Sequence, residues 1–164
     1  MLACVDVGYR VDRVIAGCVC LRDWTDEVAL CEQKLAWTER AQPYVPGQFF
    51  KRELPYLLGI LRQLRQAPAI VVVDGYVRLE GGRAGLGQHL YEALAGSAAV
   101  VGVAKHAYRA ATEAVAVLRG GSRIPLYISA VGIAVDDAVL GVRSMAGAHR
   151  IPAMLKRADR LTRL

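Results

Sequence analysis

"AIVVVDG", residues 69–75, is a short, continuous apolar run closed by Asp74 and Gly75. It is too short for a helix with a core of its own, and it carries no polar alternation. Such a run reads as a strand buried on both faces. A strand of that kind needs helices above and below the sheet. Its C-terminal end carries a carboxylate, and ligand sites gather at the strand ends of such sheets.

The flanks supply those helices. Leu54, Leu57, Leu58, Leu61 and Leu64 recur at helical spacing, with Arg62, Gln63, Arg65 and Gln66 opposite. Pro55 suits the first turn of this helix, which places Glu53 at its entrance. Downstream, "GLGQHLYEALAG" (85–96) predicts a helix ending at Gly96, and "AAVVGVAK" (98–105) a second buried strand ending at Lys105. "AVAVLRGGSRIPLYIS" (114–129) predicts two strands around a Gly-Gly turn. Asp136 or Asp137 is expected to cap a helix through Gly147, and Pro152 to open a last one. Towards the N-terminus, residues 2–7, 11–22 and 27–37 are β-rich, the last two separated by the polar "RDWTDE" (22–27). They predict an antiparallel three-strand meander. The whole is an α/β layered fold with a mixed sheet, the meander joined to parallel strands by crossovers, in a single domain over 1–164.

The totals narrow the function classes. The chain has 164 residues, 54% hydrophobic and 22% charged, a globular composition that argues against disorder. No apolar run reaches the roughly 20 residues of a membrane helix, and no leader pattern precedes the first strand, so a cytoplasmic protein without membrane association is expected. Cys4, Cys18, Cys20 and Cys31 lack the spacing and nearby histidines of a zinc site and read as buried reduced thiols. The net charge of +6 and pI of about 9.4 favour a polyanionic partner. The tail "HRIPAMLKRADRLTRL" (149–164) concentrates basic residues, either as a solvated helix face or as a phosphate-facing patch.

Asp6 interrupts the first strand, Asp74 ends the central one, and Glu53 stands where a helix can return to the same edge. A carboxylate in an apolar strand is expensive to bury alone. A divalent cation is the simplest shared partner, and carboxylates on two adjacent strands and a helix are the arrangement of metal-assisted phosphodiester hydrolysis. The alternative is three separately solvated strand-end and turn residues. Lys105 reads either as a phosphate contact or as a solvated lysine, and His89 as a hydrogen-bonded structural histidine.

The ordered set "VDVGY" (5–9), "PYVPGQFFKRE" (43–53), "VVVDG" (71–75), "GLGQH" (85–89), "VGVAK" (101–105), "PLYIS" (125–129) and "HRIPAMLKRAD" (149–159) resembles the endonuclease V family over nearly the whole chain. The resemblance implies a ribonuclease H-like fold and a magnesium-dependent endonuclease, with manganese as a substitute. It implies cleavage of DNA or RNA on the 3′ side of deaminated bases, chiefly inosine, in nucleic-acid repair. By the same resemblance Asp6, Glu53 and Asp74 fall on the metal-binding carboxylates and Lys105 on the catalytic-site lysine. Tyr44, with Pro46 and Gly47, falls on the strand-separating wedge, and Gly75 and His89 on substrate-binding positions. The chain reads as a divergent, N-terminally short member. Where the family has "DGHG" followed by a histidine and proline, this sequence has "DGYVRLEGG" (74–82), and "SAVGIAVDD" (129–137) lacks the histidine of the family's later "GHR". An alternative consistent with these departures is a nucleic-acid-binding homologue with weak activity or a different nucleic-acid substrate.

Overall fold

The structure, a computed structural model, describes residues 1–38, 43, 45, 48–108 and 113–163. The central run forms β4 (Ile70–Val73), the middle strand of a seven-stranded sheet. On one side of it lie β1 (Leu2–Tyr9), β2 (Val14–Leu21) and β3 (Cys31–Trp37), the antiparallel meander. On the other lie β5 (Ala99–Ala104), β7 (Leu126–Val131) and β6 (Val115–Val117), giving the order β3-β2-β1-β4-β5-β7-β6. β4 is parallel to both β1 and β5, while β7 runs antiparallel to β5 and to β6. The mixed sheet expected from the sequence is therefore present.

Alternation along the strands divides the core in two. Ala3, Val5, Val7, Val71 and Val73 face α1 (Phe49–Leu61) and α2 (Leu86–Ala93), which contribute Tyr56, Leu57, Ile60, Leu86 and Leu90. Leu2, Cys4, Val72, Val101 and Ile128 face α3 (Val135–Ser144) and α4 (Ala153–Leu161), which contribute Ala138, Val142, Met154 and Ala158. β4 is buried because it meets both layers, which is why its sequence is apolar at every position.

Five expectations need correction. α1 begins at Phe49, five residues before the leucine stripe, so Glu53 lies inside the helix and is buried, and Pro55 is interior. The leucine periodicity reports only the face on the core. The first turn is closed instead by backbone bonds, Gln48 N–H to the Val45 carbonyl and Lys51 N–H to the Gln48 carbonyl, both 3.0 Å. Asp136 and Asp137 do not cap α3; they stand in its first turn, where acidic side chains suit the helix dipole, and the helix ends at Ser144. Cys31 is exposed, because β3 is an edge strand, whereas Cys4, Cys18 and Cys20 are buried free thiols.

The parallel register sets the site. Val5 pairs with Val73, so Asp6, still within β1, stands beside Asp74, the first residue past β4. Gly75 then turns with φ +148°, a conformation open to glycine. Gly102 on β5 lets that turn pack close: a Cβ there would lie 2.4 Å from the Gly75 carbonyl oxygen. The buried Ser129 hydroxyl accepts a hydrogen bond from Val77 N–H at 3.0 Å and pins the far side of the turn.

Candidate active site

The C-terminal ends of β1, β4 and β5 and the first half of α1 enclose a cavity of about 730 Å³. Asp6, Glu53, Asp74, Gly75 and Lys105 line it, with Phe49, Phe50 and Tyr76 among the apolar walls. Four residues far apart in sequence thus meet at one sheet edge, each delivered by a different element.

Their electrostatics follow from that crowding. Asp6 is pushed up to about 7, by burial first and then by the Asp74 carboxylate. Glu53 is pushed up to about 8, again by burial first, with the Tyr9 hydrogen bond opposing and Asp6 and Asp74 adding to the rise. Burial works against the charge of Lys105, but the bond and charge of Asp74, with Asp6 and Asp159 behind, outweigh it and raise its pKa. The Lys105 ammonium donates to Asp74 Oδ2 at 2.5 Å. Tyr9, at the end of β1, donates from its hydroxyl to Glu53 Oε1 at 2.6 Å, and its ring lies under the Arg52 guanidinium at 3.8 Å.

Among the described residues no three His, Cys, Asp or Glu side chains converge on a single ion position. Two of the three carboxylates are held by other partners, Asp74 by Lys105 and Glu53 by Tyr9. The donor set nevertheless suits a hard divalent cation: carboxylate oxygens in mutual repulsion at a half-dry strand edge, with no soft ligand among them.

A pH dependence follows. Asp6 and Glu53 take up protons more readily folded than unfolded, where carboxyls titrate near about 4. Their contribution to stability is full below that value and is lost as pH rises through about 7 and 8. Calorimetry without divalent metal is therefore expected to show a lower Tm at pH 8.5 than at pH 5, by roughly 2–4 °C for each kcal/mol lost. Added Mg²⁺ is expected to recover it at the higher pH. A Tm that is flat or rises between the two would show that these carboxyls are not crowded.

Other side chains brace the site. The Tyr76 hydroxyl donates to the His106 carbonyl at 2.6 Å and accepts from Tyr108 N–H at 3.1 Å, tying the turn after β4 to the segment that follows Lys105. Arg150 donates to the carbonyls of Lys105 and Pro125. His89 stacks on Phe50 with ring centroids 3.6 Å apart and does not itself line the cavity. Glu80 is exposed in a short 3-10 turn and is also absent from the lining. Tyr44, Pro46 and Gly47 lie outside the described residues.

The sequence marked Lys156 only as part of a basic tail and Tyr76 only as part of an altered loop, and it gave Asp159 and Tyr9 no role at the site. Asp159 and Lys156, on α4, line a small recess together with Asp6, Asp74 and Lys105. Their separation by three residues signals a shared helix face; nothing local says that this face meets the strand ends.

The endonuclease V family model matches residues 1–135. Endonuclease V of Streptomyces avermitilis is 31% identical over 182 residues, covering 97% of this chain and 77% of that protein. The crystal structure of the catalytic domain of human endonuclease V superimposes with a TM-score of 0.80 at 26% identity, over 99% of this chain and 80% of that one. Ciona intestinalis endonuclease V, crystallised with a 24mer DNA containing an inosine followed by a ribo-adenosine, has the same fold, with a TM-score of 0.82 at 16% identity, over 99% and 84% of the two chains.

Proposed function

Because the chain belongs to the endonuclease V family, with its ribonuclease H-like sheet, we propose that it is a magnesium-dependent endonuclease. It hydrolyses a phosphodiester bond on the 3′ side of a deaminated base, inosine, in DNA or RNA, and serves repair in the cytoplasm as a single domain over 1–164. The observation that carries the reading is the meeting of Asp6, Glu53, Asp74 and Lys105 in one cavity at the strand ends.

Asp6, Glu53 and Asp74 would hold the cation, with Asp159 close by as a further carboxylate. Bound there, Mg²⁺, or Mn²⁺ in its place, supplies charge neutralisation at the phosphate and a more acidic water. The chain's own residues do the rest. Lys105, already charged by its surroundings, offers its ammonium to a phosphate oxygen as Asp74 turns away from it. Tyr9 orients Glu53 through its hydroxyl. Water attacks phosphorus as the bond to the leaving oxygen breaks; the attacking water gives up a proton to solvent, and the leaving oxygen takes one up to depart as the hydroxyl. Tyr44, with the prolines Pro43 and Pro46 on either side of it in sequence, fills the gap left by the displaced base, and the aromatic walls of the cavity receive that base, since a damaged pair opens at least cost.

The test is nicking of labelled strands containing inosine, uracil or an abasic site, beside undamaged controls, with Mg²⁺ or Mn²⁺. Inosine-dependent nicking is the expected result. Binding without nicking under either metal would sink the nuclease reading. A second reading has one observation in its favour: Tyr76, where the family has a histidine, bridges the Gly75 turn to the 106–108 segment and so remakes a cavity wall. Nicking that ignores inosine would establish this reading, a nuclease with a different nucleic-acid substrate.

A further inference from the structure

Against the carboxylates, on the α4 side of the sheet, lies a recess of about 50 Å³ whose lining sets Asp6, Asp74, Lys105, Lys156 and Asp159 among apolar side chains. It is too small for a nucleobase and has room for an ion, a water or the end of a side chain. Two lysines line it from different elements, Lys105 from the end of β5 and Lys156 from α4. Most of the charges around them have partners; Asp6 has no ion pair among the described residues. Lys105 is bound to Asp74. Asp159 is held by Arg163, one turn on, at 2.8 Å, and Arg157 pairs with Glu32 of β3. Of the two lysines, Lys156 is the one left over: half-buried, and without an ion pair or hydrogen bond from its side chain among the described residues.

Had Lys156 served only to neutralise Asp159, three residues along its own helix, the two would be paired, and Arg163 holds that carboxylate instead. A half-buried cation that none of the neighbouring carboxylates pairs with is suited to an external anion. We propose that Lys156 is a phosphate-binding residue, whose ammonium takes a non-bridging oxygen of the cleaved strand's backbone beside the phosphate engaged by Lys105. The inference rests on the nuclease reading above. Two cations beside the Asp6–Asp74 pair would fix the register of the backbone, since phosphate contacts position a nucleic acid without reading its sequence.

The test is binding of a labelled inosine-containing strand across a salt series without divalent metal, by fluorescence anisotropy. The proteins are the wild type, Lys156→Gln, which keeps most of the side-chain stem, and Lys156→Arg. Lys156→Gln is expected to bind about tenfold more weakly, as for one lost charge-assisted contact. The slope of log K against log[salt] is expected to flatten by about 0.7–0.9, one phosphate's worth of released counterion. Lys156→Arg is expected to restore both. In cleavage, KM is expected to rise more than kcat falls. An unchanged slope in Lys156→Gln, or Lys156→Arg as weak as Lys156→Gln, overturns the proposal and leaves the nuclease reading standing. A wild type that neither binds nor nicks overturns both.

Discussion

Replacing Asp74 by asparagine is expected to reduce Mg²⁺-dependent nicking by about 10³-fold, the scale of the several kcal/mol that a metal contributes at a phosphoryl centre. The fold is expected to survive. The Lys105–Asp74 pair is partly exposed, with side-chain exposures of 35% and 42%, so solvent screens it and its loss costs little stability. The substitution also removes a like charge beside Asp6, whose pKa is raised by burial first and by Asp74 second. In the absence of metal at pH 8.5, the variant's Tm is therefore expected to equal or exceed that of the wild type while activity disappears. Stability given up where function needs crowded charge is a familiar trade. Single-turnover nicking and calorimetry on the same preparation decide the matter. Activity within tenfold of wild type would remove Asp74 from the metal-binding set.

Gly102→Ala is expected to damage both fold and site. The added Cβ would stand 2.4 Å from the Gly75 carbonyl oxygen and 2.8 Å from Ser129 Oγ. The first neighbour is backbone and cannot rotate away. The second already accepts from Val77 N–H and loses that bond if it moves. Overpacking of this kind costs about 1–3 kcal/mol, and for a chain of this size each kcal/mol lowers Tm by roughly 2–4 °C. Gly75 directly follows Asp74, so relief of the clash shifts the carboxylate, and nicking at a temperature well below Tm is expected to fall as well. An unchanged Tm would mean that the turn after β4 yields freely and does not hold Asp74 in place.

Much of this was legible in residue order. "AIVVVDG" declared a central strand because a strand buried on both faces tolerates only apolar side chains, and β4 is the middle of seven. The meander, the buried strand before Lys105 and the two strands around Gly120 and Gly121 were marked by β-rich runs and turn residues. Asp6 and Asp74 stood out because carboxylates are costly in apolar strands. The start of α1 was hidden, since its first turn carries no side-chain cap and its leucine stripe begins later.

The sequence by itself determined the layers, the strand that organises them and the family to which the chain belongs. Only the tertiary structure decided which charges meet. Parallel register set Asp6 beside Asp74, and the return of α1 buried Glu53 against Tyr9. The packing of α4 under β1 and β2 brought Asp159 and Lys156 to the same edge. Hydrophobic periodicity is a local property, read within a turn or a strand. Electrostatic proximity between residues 6, 53, 74, 105 and 159 exists only once the chain has closed upon itself.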